Sequence, residues 1–143
     1  MADDWYTPKV IFDALNVTFD LDVCSPQGGT GIVPAAAYYT IEDDCLTKQW
    51  EGFVWMNPPY SNPKPFVEKF LDHGNGIALV PMAKSKWFHT IWDRAHGVMP
   101  APVNLKFIRP EGGETQIMFN TALIGMGEKA INAMQQSNLG RIR

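Results

Sequence analysis

Several features that would place this chain in a well-known class are missing from its sequence. No apolar stretch reaches the length of roughly 18 residues that a membrane-spanning helix needs. The first five residues are acidic rather than basic, so no signal peptide is visible and we expect a cytoplasmic protein. Repeats, linkers and low-complexity segments are also absent. With 143 residues, 45% of them hydrophobic, the chain fits a single domain over residues 1–143 with a real core.

Cysteine is scarce, and its placement argues against a metal site. The two cysteines, Cys24 and Cys45, form no Cys-x-x-Cys pair and have no nearby histidine that would complete a zinc site. We therefore expect no bound metal. Both thiols are expected to be reduced and at least partly buried.

The chain has no overall excess of positive charge, but its charge is unevenly distributed. The net charge is −3. Residues 1–60 hold nine acidic and two basic residues, a net −7, whereas residues 61–143 hold ten basic and six acidic residues, a net +4. This division suggests an acidic half that could hold a cationic cofactor and a basic half that could face phosphates. Ordinary scatter of solvated charge is the alternative.

Alternating helix and strand patterns predict a mostly parallel α/β sheet. A first helix is expected to about Asn16, with Thr7 as N-cap and Pro8 at the first helical position. Further helices are predicted after Pro65 up to His73-Gly74, from about Ser85, and over residues 128–137. Strands are predicted over residues 18–23, 53–56 and 77–80, while residues 35–39 fit either a helix or a strand.

Two further patterns concern the second half of the chain. The helix near Ser85 is predicted to turn its apolar residues inward, namely Trp87, Phe88, Ile91, Trp92 and Ala95. Two period-2 runs, residues 103–108 and 116–124, are separated by a turn that contains two glycines. They predict a C-terminal antiparallel hairpin that closes the sheet.

The tetrapeptide Asn57-Pro58-Pro59-Tyr60 directly follows the predicted strand at residues 53–56. An exocyclic amine such as N6 of adenine is a poor nucleophile, because its lone pair is delocalised into the ring. If the Asn57 side-chain oxygen and the Pro58 carbonyl each accept one N–H, the lone pair can turn towards an electrophile. Tyr60 can stack on the ring, and the prolines stiffen the loop. A plain Pro-Pro turn at the end of a strand is the alternative.

The chain resembles the phage-type, Dam-like DNA N6-adenine methyltransferases from Trp5 to about Gly125. The resemblance rests on short motifs in a shared order: Trp5-Tyr6-Thr7-Pro8, Leu21-Asp22-Val23-Cys24, Asp44-Cys45-Leu46 with Trp50, Asn57-Pro58-Pro59-Tyr60, Trp87-Phe88-His89 and Leu105-Lys106-Phe107. It implies S-adenosylmethionine as cofactor. It also implies a Rossmann-like methyltransferase fold whose sheet ends in an antiparallel hairpin.

The resemblance also implies which residues bind the cofactor. Thr7 and Pro8 would lie against its methionine end, and Trp5 could close over it. Asp22 would help to anchor the cofactor, and Asp44, with Cys45 beside it, would accept from the cofactor's adenine amino group. Plainer roles remain open: Asp22 as the cap of a strand end, Asp44 as a solvated turn residue and Trp5 as a core side chain.

Two departures from the wider superfamily stand out. The residues from Ser25 to Gly29 occupy the place of the usual Gly-x-Gly turn, so contacts from glycine to the cofactor are not assigned. Only 21 residues separate Asp22 from Asp44, fewer than a helix, a strand and a further loop normally need. We therefore expect an abbreviated first half, and the acid that binds the ribose hydroxyls is not placed.

Four basic residues are candidates for DNA contact: Lys84, Lys86, Lys106 and Arg109. Lys84 and Lys86 follow the strand at residues 77–80 and would lie at the loop end of the sheet. Solvated lysines on an amphipathic helix are the alternative for each. His89 has no paired carboxylate at a useful spacing, so it is not assigned as a base.

Together these features predict a DNA adenine-N6 methyltransferase that acts on a flipped base, encoded by a phage or prophage. The expected partners are DNA and S-adenosylmethionine, with no membrane, and a homodimer is an open alternative. Two other functions remain: methyl transfer to RNA or to a protein glutamine, and a catalytically degenerate protein that binds cofactor or DNA.

Overall fold

The computed structural model describes residues 6–26, 31–40, 42–102, 105–109, 113–116 and 120–142. Over these ranges the chain forms four helices and eight strands. The helices are α1 (Lys9–Leu15), α2 (Lys64–His73), α3 (Lys86–Arg94) and α4 (Glu128–Ser137). The strands are β1 (Phe19–Asp22), β2 (Ala35–Tyr38), β3 (Val54–Met56), β4 (Gly76–Pro81), β5 (Gly97–Pro100), β6 (Lys106–Ile108), β7 (Glu114–Gln116) and β8 (Thr121–Met126).

Six strands form one mixed sheet in the order β2-β1-β3-β4-β8-β5. The four strands β2, β1, β3 and β4 run parallel, whereas β8 runs antiparallel to both β4 and β5. The register pairs Asp22 of β1 with Trp55 of β3, and Met56 of β3 with Ala78 of β4. Because the first four strands are parallel, the loops that follow β1, β3 and β4 all leave from the same edge of the sheet.

Two apolar layers cover the sheet. One layer packs α2 and α3 on it through side chains such as Val67, Phe70 and Ile91. The other packs α1 and α4 on the opposite face, through residues that include Ile11, Leu15 and Met134. The central strands β3, β4 and β8 are buried along their whole length, which explains their continuous apolar sequences.

The helix ends follow the sequence signals only in part. Gly74 ends α2 in the left-handed conformation, with φ of 77°, as predicted from His73-Gly74. The predicted start of α1 is wrong by one position: Pro8 is the N-cap and the helix begins at Lys9, with no side-chain cap. Ser85 does occupy the N-cap of α3, but its hydroxyl makes no capping hydrogen bond.

The C-terminal hairpin forms differently from the prediction. Strands β6 and β7 pair antiparallel, but they form a separate two-stranded sheet. The predicted run at residues 116–124 is divided, since its later part belongs to β8 in the main sheet. Strand β5, which was not predicted, pairs antiparallel with β8 and forms the edge of the main sheet. Strand β8 is buried on both faces, so its sequence is apolar throughout and does not alternate. Without alternation, the sequence does not show where a preceding short strand ends and β8 begins.

Two other expectations are decided by the structure. Residues 35–38 form a strand, β2, at the other edge of the sheet, and the described residues between Asp22 and Asp44 contain no helix.

The prediction that Trp92 points inward is wrong, because its side chain is 51% exposed. Phe88 and Ile91 fill the buried face of α3, and the Trp92 ring lies at the rim of that face, edge-on to Phe88 with centroids 6.0 Å apart.

Candidate active site

The tetrapeptide Asn57–Tyr60 leaves the sheet directly after the buried strand β3. Pro58 is buried, and the other three residues are half-buried. Strand β4 continues three residues beyond the position that pairs with Met56, so Pro81 ends β4 alongside the tetrapeptide. The segment therefore lies at the carboxyl edge of the parallel strands, which is where α/β proteins bind their ligands.

A contact from the separate two-stranded sheet supports Tyr60. Its ring packs edge to face against Phe107 of β6, with centroids 6.5 Å apart. Burial raises the pKa of Tyr60 well above its usual value, so the phenol stays neutral. Phe107 itself is fully buried. The aromatic ring at the site is thus held by a strand almost fifty residues further along the chain.

The same small sheet brings the N-terminal segment to the site. Tyr6 and Ile108 exchange backbone hydrogen bonds of 2.8 and 2.9 Å, so Thr7 follows directly after a residue paired with β6. Thr7 is only 4% exposed. Its hydroxyl oxygen is buried and finds no hydrogen-bond partner among the residues that the structure describes. A buried hydroxyl without a partner is costly unless a ligand supplies one.

Asp22 lies at the carboxyl end of β1, beside β3, and is 4% exposed. Its Oδ1 accepts a hydrogen bond of 3.3 Å from the Cys24 backbone N–H. Burial raises the pKa of Asp22 to about 7, and this hydrogen bond offsets only part of the rise. One hydrogen bond does not offset the cost of burying a negative charge, so this carboxylate is suited to bind a cationic group or a strong hydrogen-bond donor of a ligand.

Asp44 begins a turn that leads into the core. It is exposed and adopts a positive φ of 52°. The next residue, Cys45, is buried, and its carbonyl accepts from Trp50 Nε1 at 2.9 Å and from Lys69 Nζ at 2.8 Å. Lys69 also donates to the carbonyls of Leu46 and Lys48. A lysine of α2 therefore fixes the turn that carries Asp44, and nothing in the sequence marks it for that role.

The segments of Asp22 and Asp44 meet in the fold. The Sγ atoms of Cys24 and Cys45 are 3.9 Å apart, and both thiols are free. Both are also at least partly buried, as predicted. Two acids separated by 21 residues in the sequence thus belong to loops that touch each other.

The predicted DNA-contacting residues fall into two groups. Lys84 and Lys86 are exposed on either side of the α3 N-cap, at the same edge as the tetrapeptide. Lys106 is exposed on β6. Arg109 directly follows this strand, and its guanidinium donates a hydrogen bond of 3.1 Å to Thr115 Oγ1. The first group therefore lies at the carboxyl edge of the main sheet, and the second lies on β6 or directly after it.

Some of the predicted residues are not described by the structure. Trp5 and the loop residues Gln27 to Gly29 lie outside the described residues. Among the residues that are described, no group of three or more His, Cys, Asp and Glu could hold a metal ion. In the same ranges, no helix has the length and apolar character needed to cross a bilayer. Two open grooves lined by Asn16, Val17 and Lys129 lie at the opposite edge of the sheet, away from the tetrapeptide.

Comparisons with known proteins identify the family of this chain. A family model described as DNA N-6-adenine-methyltransferase (Dam) matches residues 1–133. The DNA N-6-adenine-methyltransferase of Haemophilus phage HP1 (strain HP1c1) is 32% identical over 124 residues, covering 78% of this chain and 70% of the phage protein. The protein of the same name from Escherichia phage T1 is 33% identical over 98 residues, which is 62% of this chain and 40% of that relative. The chain belongs to the DNA N-6-adenine-methyltransferase (Dam) family.

Proposed function

We propose that this protein is an S-adenosylmethionine-dependent, site-specific DNA methyltransferase that methylates N6 of adenine. The observation that carries the proposal is the position of the tetrapeptide Asn57–Tyr60, which leaves the carboxyl edge of the sheet directly after β3, the strand that pairs with the buried Asp22. Membership of the Dam family and the two phage relatives support the same reaction. These relatives also support an origin in a phage or prophage.

Three features of the described residues fit the cofactor. The buried Asp22 carboxylate accepts one backbone hydrogen bond, which leaves capacity for a cationic group. The buried Thr7 hydroxyl has no partner among the described residues, and we propose that it and Pro8 lie against the methionine end. Asp44, on the turn fixed by Lys69, would accept from the adenine amino group, with Cys45 beside it. When bound there, the cofactor supplies an electrophilic methyl group on sulfonium.

The tetrapeptide would orient the amine that receives the methyl group. The Asn57 side-chain oxygen and the Pro58 carbonyl each accept one N–H of the target amine, which turns the nitrogen lone pair towards the cofactor. Pro58 and Pro59 stiffen the loop, so these acceptors are in place before the base arrives. The N6 proton leaves to water after methyl transfer, and no general base is required before attack.

Binding of the target base would require it to leave the DNA stack. Flipping a base costs a few kcal/mol, which stacking on Tyr60 and the two hydrogen bonds would offset. Tyr60 suits this role because Phe107 holds its ring and burial keeps its phenol neutral. We propose that Lys84, Lys86, Lys106 and Arg109 contact the phosphates that flank the flipped base.

The fold proposed for this activity is the Rossmann-like methyltransferase fold in a single domain, abbreviated in its first half. Two observations support it: the parallel order β2-β1-β3-β4, and the antiparallel pair of β8 and β5 at the end of the sheet. The absence of a helix among the described residues between Asp22 and Asp44 supports the abbreviation.

One experiment tests the function directly. The protein is incubated with S-adenosylmethionine labelled in its methyl group and with DNA, RNA or protein, and each product is digested to identify the labelled unit. We expect label in N6-methyladenine from DNA. Label in RNA or in a protein glutamine would show that the substrate is RNA or protein rather than DNA. The absence of label from DNA, RNA and protein would indicate a catalytically degenerate binding protein. Wild type is compared with Asn57→Ala and with the matched loop control Asn62→Ala, whose side chain is exposed.

A further inference from the structure

The contact between Cys24 and Cys45 brings together the two cysteines of the chain. Their Sγ atoms are 3.9 Å apart, about 1.9 Å more than the sulfur–sulfur distance of a disulfide. Cys24 is half-buried, whereas Cys45 is 5% exposed. Twenty residues separate them in the sequence, so the tertiary structure alone creates this contact.

Hydrogen bonds fix the segment on each side of the pair. On the Cys24 side, Ser25 N donates to Tyr39 O at 2.9 Å and Tyr39 N donates to Asp22 O at 2.9 Å. On the Cys45 side, Trp50 and Lys69 both donate to the Cys45 carbonyl. The two thiols therefore face each other from two ordered segments, and a disulfide forms when the sulfur atoms approach by about 1.9 Å.

We propose that Cys24 and Cys45 form a dithiol that hydrogen peroxide converts reversibly into an intramolecular disulfide. In the first step one thiolate attacks the peroxide, which breaks the O–O bond and gives a sulfenic acid and hydroxide. In the second step the other thiol attacks the sulfenic sulfur, the S–S bond forms and water leaves. Two electrons pass from the two sulfur atoms to one peroxide, and a thiol reductant reverses the oxidation.

Cys45 is the thiol that supplies the first thiolate. The hydrogen bond with Cys24 and the positive charge of Lys69 lower the pKa of the Cys45 thiol, whereas its burial and the negative charges of Asp44 and Asp22 act in the opposite direction. The pKa of Cys24 is raised, chiefly through the same hydrogen bond and by burial. Cys24 therefore remains a thiol and resolves the sulfenic acid on its neighbour.

Oxidation would also disturb the cofactor site, a consequence that rests on the proposed function. Asp22 lies two residues before Cys24, and Asp44 directly precedes Cys45. Closing the sulfur atoms by about 1.9 Å pulls both loops together and moves these acids relative to a bound ligand. The loss of one hydrogen bond to a charged group corresponds to about a tenfold or greater rise in the cofactor dissociation constant.

The thiol chemistry is tested first, without any cofactor. Wild-type protein is treated with hydrogen peroxide, free thiols are counted, and the intact mass is measured without reductant. We expect the count to fall from two to zero, the mass to decrease by two hydrogen atoms, and dithiothreitol to restore both thiols. Cys24→Ser and Cys45→Ser, with folding checked by circular dichroism, should form no internal disulfide. Three outcomes on the wild type would overturn the proposed intramolecular disulfide. They are two surviving thiols, a disulfide between chains, and the addition of oxygen atoms without loss of hydrogen.

The effect on the site is tested on the same samples by titration with S-adenosylmethionine. We expect the oxidised wild type to bind about tenfold more weakly than the reduced wild type, and dithiothreitol to restore the affinity. Equal affinities of the oxidised and reduced wild type would overturn the effect on the site. A reduced wild type that binds no cofactor would instead contradict the proposed function, and the thiol count would still decide whether the disulfide forms.

Discussion

Tyr60 and Phe107 pack edge to face, with ring planes at 75° and centroids 6.5 Å apart. Replacing Phe107 by Leu keeps an apolar side chain but removes this ring contact. We expect the free energy of unfolding to fall by about 1 kcal/mol. Because Tyr60 loses orientation, the single-turnover rate of methyl transfer should also fall by about tenfold.

Phe70→Leu is the matched control, because Phe70 is also fully buried but belongs to the core layer of α2. Urea unfolding and single-turnover kinetics are measured on both variants. We expect similar losses of stability and a loss of rate only for Phe107→Leu. Equal rates for the two variants would show that Phe107 does not position Tyr60.

Asn57→Ala should abolish most of the turnover while the dissociation constant of the cofactor stays within a fewfold of wild type. Asn57 would orient the target amine rather than the cofactor, and a missing transition-state hydrogen bond of this kind costs about 10²–10³ in rate. Single-turnover rates and cofactor titration measure both effects. The control is Asn62→Ala in the same loop, which should keep its rate. An Asn57→Ala rate above about a tenth of wild type would remove Asn57 from this role.

Asp22 should make the stability of the cofactor-free protein depend on pH. Burial raises its pKa from the ordinary value of 3.8 to about 7, so the native carboxyl keeps a proton that the unfolded chain releases between these values. The free energy of unfolding should therefore fall as pH rises through this window, by up to about 4 kcal/mol, and level off above it. Asp22→Asn should lack this fall.

Urea unfolding between about pH 4 and about pH 8 compares the variant with wild type and with Asp13→Asn, a change at an exposed ion pair. Parallel curves for Asp22→Asn and wild type would contradict the assignment. The ionised carboxylate would bind the cationic cofactor, so cofactor affinity should rise between about pH 6 and about pH 7.5 in wild type but not in Asp22→Asn.

Lys84→Glu combined with Lys86→Glu should weaken DNA binding to a similar extent across sequences. The slope of log affinity against log salt concentration should become less steep, by up to about 0.9 for each phosphate that the two lysines no longer neutralise. Cofactor affinity should not change. Duplex titrations at several salt concentrations measure the slopes.

Lys9→Glu with Lys129→Glu is the matched control, because it changes the charge equally at the opposite edge of the sheet. We expect the wild-type slope for this control. A wild-type slope for folded Lys84→Glu/Lys86→Glu would place the DNA surface elsewhere, with Lys106 and Arg109 the next candidates.

Local sequence signals were sufficient for most elements of the main sheet. Helix α4 has the predicted bounds, and β1, β3 and β4 lie within two residues of the predicted strands. Helix α2 ends at Gly74, as its sequence predicts. The hairpin register, strand β5 and the exposure of Trp92 were missed, because they depend on which strand or helix packs beside them.

The sequence by itself determined which functional groups are available. They are the amide, the two prolines and the tyrosine that follow a buried strand, and the acids Asp22 and Asp44 in the net-negative half of the chain. Only the tertiary structure decided which groups meet. It placed Phe107 against Tyr60, Lys69 under the Asp44 turn and Cys24 against Cys45. Local periodicity reports which face of an element is buried, whereas contacts between distant segments follow from strand order and packing, which no single stretch of sequence encodes.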